Sequence, residues 1–156
     1  MIVVVMGVSG AGKSTIGEML AARLNCRFLD ADQFHPAANV EKMAAGTPLT
    51  DADRWPWLQN LNAKLRQEEK AVLACSALKE SYRQALSAGL SNCRFVHLRG
   101  DIDLIRARLG HRQHRYMPAS LLESQFAALE PPRDAIDVDI GQPPERCVED
   151  ILAALG

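Results

Sequence analysis

Residues 7–14 combine three glycines, a lysine and a serine at the spacing of a phosphate-binding loop: glycine, four residues, then Gly-Lys-Ser. Glycines allow backbone N–H groups to turn toward phosphate oxygens, and a helix that starts after the loop adds a favourable dipole. Lys13 can reach the β- and γ-phosphates of a nucleotide, and the Ser14 hydroxyl can ligate Mg²⁺. The sequence therefore predicts that a nucleoside triphosphate, with Mg²⁺, binds at Gly7, Val8, Ser9, Gly10, Ala11, Gly12, Lys13, Ser14 and Thr15.

Two aspartates and a histidine follow the second short hydrophobic run, in the order Asp30, Asp32 and His35. Phosphoryl transfer needs positioned charge, a metal ion and a group that orients the attacking oxygen. We expect Asp30 to hold a water on Mg²⁺ and Asp32 to accept the proton of the acceptor hydroxyl. The alternative for the aspartates is a turn that uses Asp for its own hydrogen bonds. For His35, a contact to a substrate hydroxyl and a scaffold role are equally open.

Arg54 is a candidate ligand for an anionic group of the acceptor. It lies in the first turn of a helix that Thr50 and Asp53 open as a capping box, with Asp in place of the usual Glu or Gln. A cation opposes the helix dipole there, which suggests a use elsewhere, and arginine offers a two-pronged fork to a carboxylate. We expect Trp55 and Trp57, the aromatic residues next to it, to serve packing.

Ser76 and Lys79 follow the third hydrophobic run and are further candidates near the acceptor. Ser76 could contact phosphate or substrate, or it could be the N-cap of the next helix. Lys79 could place positive charge over the acceptor. Arg83, four residues on, could share that helix face or be a solvated surface residue. No Walker-type acid follows this run, so support for the metal must come from Asp30 or from water.

A segment rich in arginine and histidine, residues 106–118, is the candidate lid. Arg108, Arg112 and Arg115 recur at spacings of four and three and would form one cationic stripe on a continuous helix. The stripe is either an exposed basic face or part of a lid whose arginine closes on the transferring phosphoryl group. We expect Arg112 to be that arginine, because it lies nearest the centre of the segment.

Short hydrophobic runs alternate with helical patterns, which predicts an α/β fold with a parallel sheet covered by helices on both faces. The predicted strands are Ile2–Met6, Arg27–Leu29, Ala71–Cys75, Arg94–Leu98 and Ala135–Ile140. The predicted helices are Lys13–Leu24, Pro36–Ala45, Ala52–Glu69, Lys79–Ala88, Ile102–Gly110, Pro118–Leu129 and Pro144–Leu155. Ligands of such sheets bind at the carboxyl ends of the strands. Residues 31–70 are too many for one crossover helix and predict an acceptor-binding helical insert.

Composition and charge restrict the class of protein. The 156 residues carry a formal net charge of −1 and are 47% hydrophobic, as is usual for a soluble globular domain. That balance favours neither nucleic acid nor an anionic membrane as a partner. Four cysteines without a metal-site spacing indicate free thiols in a reducing compartment, so we expect a cytoplasmic protein. We expect one domain, residues 1–156, with no transmembrane segment and with an N-terminus that is a core strand rather than a signal peptide.

Taken in order, the motifs resemble those of the gluconate kinases, the gluconokinases of the P-loop kinase type, over nearly the whole chain. The marks of the resemblance are residues 7–14, Asp30-x-Asp32-x-x-His35-Pro36, Asn39-x-x-Lys42-Met43, Gly46-x-Pro48-Leu49-x-Asp51-x-Asp53-Arg54-x-Pro56-Trp57, Cys75-Ser76-Ala77-Leu78-Lys79-x-x-Tyr82-Arg83, Ser124-Gln125-Phe126 and Leu129-Glu130-Pro131-Pro132. One departure lies in the candidate lid. Members of that family usually have Gly-His-Phe before Met-Pro, where this chain has His114-Arg115-Tyr116.

The resemblance implies a sheet of the nucleoside-monophosphate-kinase type with strand order 2-3-1-4-5, and a homodimer. It implies that ATP, with Mg²⁺, phosphorylates D-gluconate at its 6-hydroxyl to give 6-phospho-D-gluconate. By similarity to the shikimate kinases, relatives in fold, the first acid of Asp30-x-Asp32 supports the metal and the second meets the acceptor. Lys13 and Arg112 would complete the catalytic set.

Two other functions fit parts of the pattern. One is another small-molecule kinase on the same fold, acting on a shikimate-like acid or a nucleoside monophosphate, since Arg54, Lys79 and Arg83 would suit any anionic acceptor. The other is a nucleotide-gated binding module without turnover, against which Asp32 argues. A panel of acceptors with ATP separates the three.

Overall fold

A computed structural model of the chain describes residues 1–111 and 119–156. Within them strands and helices alternate along the chain. The strands are β1 (Ile2–Met6), β2 (Arg27–Asp30), β3 (Ala71–Ala74), β4 (Cys93–Arg99) and β5 (Ile136–Asp139). The helices are α1 (Lys13–Leu24), α2 (Ala37–Ala44), α3 (Asp51–Arg66), α4 (Glu80–Ser87), α5 (Ile102–His111), α6 (Ala119–Ala128) and α7 (Pro144–Leu155).

The strands form one parallel sheet in the order β2-β3-β1-β4-β5, which confirms the order that the resemblance implied. β1 is the central strand, and all five of its residues are buried, as expected for β-branched side chains covered on both faces. In register, Val5 pairs with Ala74, and Asp30 pairs with the same residue from the other side. The loops that follow β1, β2 and β3 therefore leave the sheet side by side at its carboxyl edge.

Two hydrophobic clusters hold the sheet, one on each face. Along β1, Val3 and Val5 belong to the cluster that includes α1 and α7, whereas Val4 and Met6 belong to the cluster that includes α3 and α4. This alternation follows from the period of two residues in a strand. The carboxyl edge of the sheet thus rests on a core that is packed from both sides.

The ends of several elements differ from the sequence-based expectation. β2 extends one residue further, to Asp30, and a 3₁₀ turn at Ala31–Phe34 follows it. β3 ends one residue earlier, at Ala74, and α3 ends at Arg66 rather than at Glu69. Hydrophobic patterns locate the buried middle of an element, whereas local hydrogen bonds decide its ends.

The segment between β2 and β3 contains the 3₁₀ turn, α2 and α3. α3 buries Leu58, Leu61 and Leu65 against the sheet. α2 is tied to the start of α3 by the Asn39 side-chain amide, which donates to the carbonyl of Asp53 at 2.9 Å. The segment is therefore a helical layer over β2 and β3, as predicted, and its role in binding an acceptor is a proposal. Across residues 1–111 and 119–156, every helix is too short or too polar to span a membrane.

Candidate active site

The loop after β1 adopts backbone conformations that its glycines make possible. φ is +84° at Gly10 and +95° at Gly12, in the left-handed region that residues with a Cβ disfavour. α1 starts directly after Gly12, so its unpaired N–H groups lie at the loop. The Nζ of Lys13 donates to the carbonyl oxygens of Gly7, at 3.1 Å, and Val8, at 3.0 Å. Loop, helix start and lysine are thus placed as phosphate binding requires.

Gly10 is also required for space. A Cβ built there would lie 3.0 Å from Cδ2 of Leu109 and 3.2 Å from Cγ2 of Ile105, both on α5. A side chain at position 10 would therefore push the loop away from α5. The left-handed conformation favours glycine at this position, and the close approach of Leu109 and Ile105 adds to that preference.

Groups from the ends of β2 and β3 lie near Lys13: two carboxylates at or just after the end of β2 and a thiol just after β3. Burial is the largest influence on the lysine and lowers the pKa of its ammonium group, while the negative charges of Asp32 and Asp30 raise it. Cys75, at the end of β3, is buried, which raises the pKa of its thiol to about 12 and keeps it neutral beside the lysine. The structure therefore brings together the lysine and both aspartates that the sequence singled out.

The two aspartates have different environments. One carboxylate oxygen of Asp30 accepts the backbone N–H of Asp32 at 3.0 Å, so Asp30 also stabilises the 3₁₀ turn, as the alternative interpretation predicted. The side chain of Asp32 is 85% exposed, at the open edge of the sheet. Asp32 is therefore the more accessible of the two carboxylates.

His35 lies behind Asp32 and is buried, with only 4% of its side chain exposed. Its ring stacks on Trp57, with 4.2 Å between ring centroids and 16° between planes. Trp57 is itself fixed by a hydrogen bond from its Nε1 to the carbonyl of Ala31, 2.8 Å long. The expectation that Trp57 serves packing is confirmed.

The protonation of His35 follows from its neighbours. The side-chain amide of Asn39 lies 3.3 Å from Nδ1 of His35; when it donates there, the ring proton is on Nε2, 4.0 Å from an oxygen of Asp32. Burial lowers the pKa of His35, and the Asp32 carboxylate opposes that shift. This geometry favours the scaffold role for His35, as a neutral support for Asp32. A direct contact to a substrate hydroxyl stays a prediction.

Arg54 and Lys79, the two predicted ligands of an anionic acceptor, meet at one carboxylate. Nζ of Lys79 lies 3.4 Å from both oxygens of Asp51, and Nη1 of Arg54 lies 3.8 Å from one of them. The Tyr82 hydroxyl donates to the same carboxylate, and this hydrogen bond is the largest cause of the lowered pKa of Asp51. Arg54 also donates to the carbonyl of Leu49, at 3.0 Å, and to the Tyr82 hydroxyl, at 3.3 Å.

Sequence reasoning missed Asp51 and Tyr82 as members of this cluster. Asp51 starts α3 and Tyr82 lies in α4, so only the folded chain brings them together. The available signal was that both residues lie within the family motifs, next to Arg54 and Lys79. Trp55, expected to pack, is 38% exposed and lies edge-on to the Tyr82 ring at 5.9 Å.

The start of α3 is the predicted capping box. The Thr50 hydroxyl accepts the N–H of Asp53 at 3.2 Å, and the Asp53 carboxylate accepts the N–H of Thr50 at 2.9 Å. Lys42, on α2, donates to the same carboxylate at 2.8 Å. This hydrogen bond is the largest of the effects that lower the pKa of Asp53 to about 2. Asp53 is therefore a structural residue, whereas Arg54, its neighbour, faces Tyr82.

Comparisons with known proteins agree with this geometry. The family model described as shikimate kinase matches residues 9–128. A gluconokinase from Gluconobacter oxydans (strain 621H) is 51% identical over 84% of this chain and 76% of its own length. The thermosensitive gluconokinase of Escherichia coli (strain K12) is 42% identical over 96% of this chain and 87% of its own. The chain belongs to the gluconokinases of the shikimate kinase family.

A solved structure supports the assignment at the level of the fold. The crystal structure of a gluconokinase from Sinorhizobium meliloti 1021 matches with a TM-score of 0.91 and 43% identity. The match covers 98% of this chain and 90% of that one. The sheet order, the helical insert and the loop after β1 are therefore those of a gluconokinase.

Two sequence expectations for this gluconokinase need correction near β3. α4 has Lys79 as its N-cap, so Ser76 is not a helix cap; its carbonyl instead accepts the N–H of Gly7 at 3.3 Å. Arg83 is buried, not solvated, and donates to the carbonyls of Ala77, at 2.7 Å, and Glu130, at 2.8 Å. Its guanidinium also contacts the Glu80 carboxylate, at 3.0 Å, so Arg83 is a structural link between α4, the loop before it and the segment after α6.

The structure describes only part of the segment predicted to be a lid, residues 106–118. Arg108, on α5, donates to the backbone carbonyl of Ile140 after β5, so it serves the fold in this structure. Arg112 and Arg115 lie outside the described residues, and so does most of the segment 106–118 that was predicted to be a lid. The choice between these two arginines stays a prediction.

The residues present fit a magnesium ion in the manner expected for a kinase. Mg²⁺ prefers oxygen ligands and usually combines one or two carboxylates with phosphate oxygens and water. Ser14 is exposed at the start of α1, and the carboxylates of Asp30 and Asp32 lie close enough to act on Lys13 in the same loop. A hydroxyl and a carboxylate are thus available beside the phosphate-binding loop.

Proposed function

We propose that this chain catalyses the phosphorylation of D-gluconate by ATP at the 6-hydroxyl, giving 6-phospho-D-gluconate and ADP. The observation that carries the proposal is the identity of 42–51% to gluconokinases over most of the chain. The convergence of Lys13, Asp30 and Asp32 at the carboxyl edge of the sheet supplies the chemistry that the reaction needs.

In the proposed reaction, the 6-hydroxyl oxygen forms a bond to the γ-phosphorus while the bond from that phosphorus to the β–γ bridging oxygen breaks. The proton of the hydroxyl passes to the Asp32 carboxylate and then to solvent, and ADP leaves. Lys13 moves from the carbonyls of Gly7 and Val8 to the β- and γ-phosphates, where its charge is opposite to the charge that develops. Nε2 of His35 lies 4.0 Å from the Asp32 carboxylate, so the ring is a neighbour of the proposed base and does not hydrogen-bond to it.

Mg²⁺ would be held by the Ser14 hydroxyl and, through water, by Asp30, and it would neutralise charge on the phosphates. Backbone groups of residues 7–15 would bind the rest of the ATP phosphates. Arg112 is the proposed cation at the transferring phosphoryl group.

For the acceptor, we propose that the gluconate carboxylate is bound by Arg54 and Lys79. Both cations already share a carboxylate partner, Asp51, so they are held close enough together to share another. His35 and Ser76 would contact hydroxyl groups of the sugar acid. Ser76 lies beside the phosphate-binding loop of residues 7–14, the P-loop. Tyr82 and Asp51 orient the two cations from α4 and α3.

Three broader features are part of the proposal. Residues 1–156 form one kinase domain with an acceptor-binding insert at about residues 31–70 and a lid at about residues 106–118. The enzyme works in the cytoplasm, which the four free cysteines support. It forms a homodimer, for which the family resemblance is the support.

A coupled assay with Mg-ATP and a panel of acceptors tests the function. We expect D-gluconate to have by far the highest kcat/KM, and shikimate and AMP to be poor acceptors. Comparable values for shikimate and gluconate would point to another small-molecule kinase of this fold. Failure to consume ATP with every acid would support a binding module without turnover.

A further inference from the structure

A residue far from the P-loop in sequence holds the tip of that loop. The side-chain oxygen of Gln125, on α6, accepts the backbone N–H of Ser9 at 2.7 Å. The side-chain nitrogen of Gln125 donates to the Ser9 hydroxyl at 3.1 Å. Both contacts are partly buried and join residues 116 positions apart. One carboxamide therefore binds both the backbone and the side chain of a single loop residue.

The support behind Gln125 is rigid. Leu122, one turn earlier on α6, is fully buried in the core. Just after α6, the N–H of Glu130 donates to the carbonyl of Leu78 at 2.8 Å, and the buried Arg83 donates to the carbonyl of Glu130. α6 is thus fixed on both sides of Gln125, so the carboxamide can act as a fixed point for the loop.

The next loop residue, Gly10, is fixed from the other side. It packs against Leu109 and Ile105 of α5 so closely that a Cβ could be added only if these side chains shifted. Ser9 and Gly10, in the middle of the P-loop, are therefore enclosed between α6 and α5. At the end of the loop, Gly12 leads into α1, which begins at Lys13. Among residues 1–111 and 119–156, Gln125 is the side chain that contacts Ser9 by directed hydrogen bonds.

We propose that Gln125 is a positioning residue for ATP: it fixes Ser9, and through it the P-loop backbone, in the shape that binds the β- and γ-phosphates. An unanchored glycine-rich loop must lose conformational freedom when it closes on phosphate, and prior fixing reduces that cost. The inference rests on the proposed function only in its use of ATP. Binding of ATP in the absence of gluconate tests it separately from turnover.

The test compares ATP affinity among variants at position 125. Gln125→Leu keeps the size of the side chain but removes both hydrogen bonds; we expect about tenfold weaker ATP binding, with kcat at saturating ATP and KM for gluconate within about threefold of the parent. Gln125→Glu keeps an acceptor for the N–H of Ser9 but adds negative charge near the phosphates. It should bind ATP more weakly than Gln125→Leu.

Matched controls separate positioning from stability. Ser124→Ala changes the exposed neighbour on the same helix and should leave ATP affinity and kcat unchanged. Ser9→Ala removes the hydroxyl partner alone and should weaken ATP binding by about threefold, and adding it to Gln125→Leu should cause no further loss. Melting temperatures of all variants show whether folding is retained.

ATP affinity of Gln125→Leu within about twofold of the parent would overturn the inference, and so would equal affinities for the Leu and Glu variants. If Gln125→Leu does not fold, Ser9→Ala decides: a loss of ATP affinity supports the role, and an unchanged affinity overturns it. If ATP binding follows the expected order but gluconate is not phosphorylated, the inference stands and the proposed function fails.

Discussion

At the scale of single residues, the site depends on Lys13, whose hydrogen-bond partners are neutral carbonyl groups. Lys13 contacts two carbonyls of its own loop, and burial lowers the pKa of its ammonium group against the pull of Asp32 and Asp30. ATP phosphates would replace those carbonyls with full negative charges. The lysine is therefore available to the ligand and contributes little to the core.

Lys13→Ala should abolish turnover and leave the fold intact. The variant loses the cation that the β- and γ-phosphates share, while the hydrophobic clusters on both faces of the sheet stay complete. Steady-state kinetics and a thermal melt on the same preparation measure the two effects. A variant that folds normally and keeps most of its activity would contradict the role given to the P-loop.

Asp32→Asn tests the proposed base. Asparagine keeps the shape and one acceptor oxygen but cannot take a proton, and loss of a general base usually costs about 10²–10⁴ in rate. We expect kcat to fall by at least about a hundredfold with nearly unchanged ATP affinity. Because Asp32 is exposed, its replacement should leave the melting temperature unchanged. A fall in ATP affinity as large as the fall in kcat would assign Asp32 to the nucleotide instead.

Single residues were predictable where chemistry follows from local spacing. Lys13 could be located from the motif of the phosphate-binding loop, and Asp30 and Asp32 because they lie at the end of a strand, since strand ends meet at one edge of a parallel sheet. Asp51 and Tyr82 could not, because their hydrogen bond joins two helices, 31 positions apart in the chain. Arg83 was misjudged for a similar reason: one of its partners, the carbonyl of Glu130, lies 47 positions away in the chain.

At the scale of elements, the residues in the first turn of α3 contact two different helices, α2 and α4. Asp53 points to α2 and the capping box, whereas Asp51 and Arg54 meet Tyr82 on α4. The helix start thus joins the insert to the acceptor side of the site. A change at one position should affect stability, and a change at its neighbour should affect binding.

Asp53→Asn should lower stability and spare catalysis. The pKa of Asp53 is lowered to about 2 from an ordinary 3.8, so its carboxylate stabilises the fold above pH 3.8, and that contribution is lost as the pH falls toward 2. The variant should melt at a lower temperature than the parent at pH 7, with kcat within about twofold. The difference in melting temperature should shrink as the pH falls below 3.8. A kinetic loss as large as that of Asp32→Asn would show that Asp53 reaches the substrate.

The candidate lid, residues 106–118, provides a second test at this scale. A cation delivered to the γ-phosphoryl group can contribute roughly 10³–10⁵ in kcat, so Arg112→Ala should depress kcat strongly. Arg115 occupies a position where the family usually has histidine, and Arg115→Ala should change kcat by less than about tenfold. Kinetics on the two variants decide between them. A larger loss for Arg115→Ala would mean that the substituted residue has taken over the role.

Element positions could be predicted because buried strands are β-branched and helices repeat their apolar residues at helical spacing. Their ends could not, as at Ala31–Phe34, where the Asp30 side chain turns the backbone into a 3₁₀ turn. When a side chain accepts a backbone N–H in this way, the sequence carries no hydrophobic pattern from which the turn could be predicted. The insert was located by its length alone.

At the scale of the whole molecule, two buried histidines link the stability of the fold to pH. His35 lies in the insert, stacked on Trp57, and His97 lies on β4 beside Asp137 of β5, 3.4 Å away. Burial is the largest influence on both and lowers the pKa of each ring below the ordinary 6.5, although Asp32 and Asp137 oppose the shift. The strand order that the resemblance implied already placed β4 beside β5, but the register that pairs His97 with Asp137 could only be seen in the folded chain.

The free energy of unfolding should therefore decrease as the pH falls below 6.5. A histidine whose pKa is lowered in the folded state stays neutral just below pH 6.5, whereas the same histidine in the unfolded chain takes up a proton. Because the unfolded state binds more protons at these pH values, lowering the pH favours unfolding. Ordinary carboxylates titrate near pH 4 and therefore contribute little between pH 5.5 and 6.5, the range of about one unit below the ordinary histidine pKa.

Urea unfolding at several pH values measures how steeply the free energy of unfolding depends on pH, and NMR titration of the two rings gives their pKa values directly. His35→Gln and His97→Gln should each reduce the slope, and their combination should reduce it further. Histidine rings that titrate at or above 6.5, or a slope that the double variant retains in full, would place the pH dependence elsewhere in the molecule.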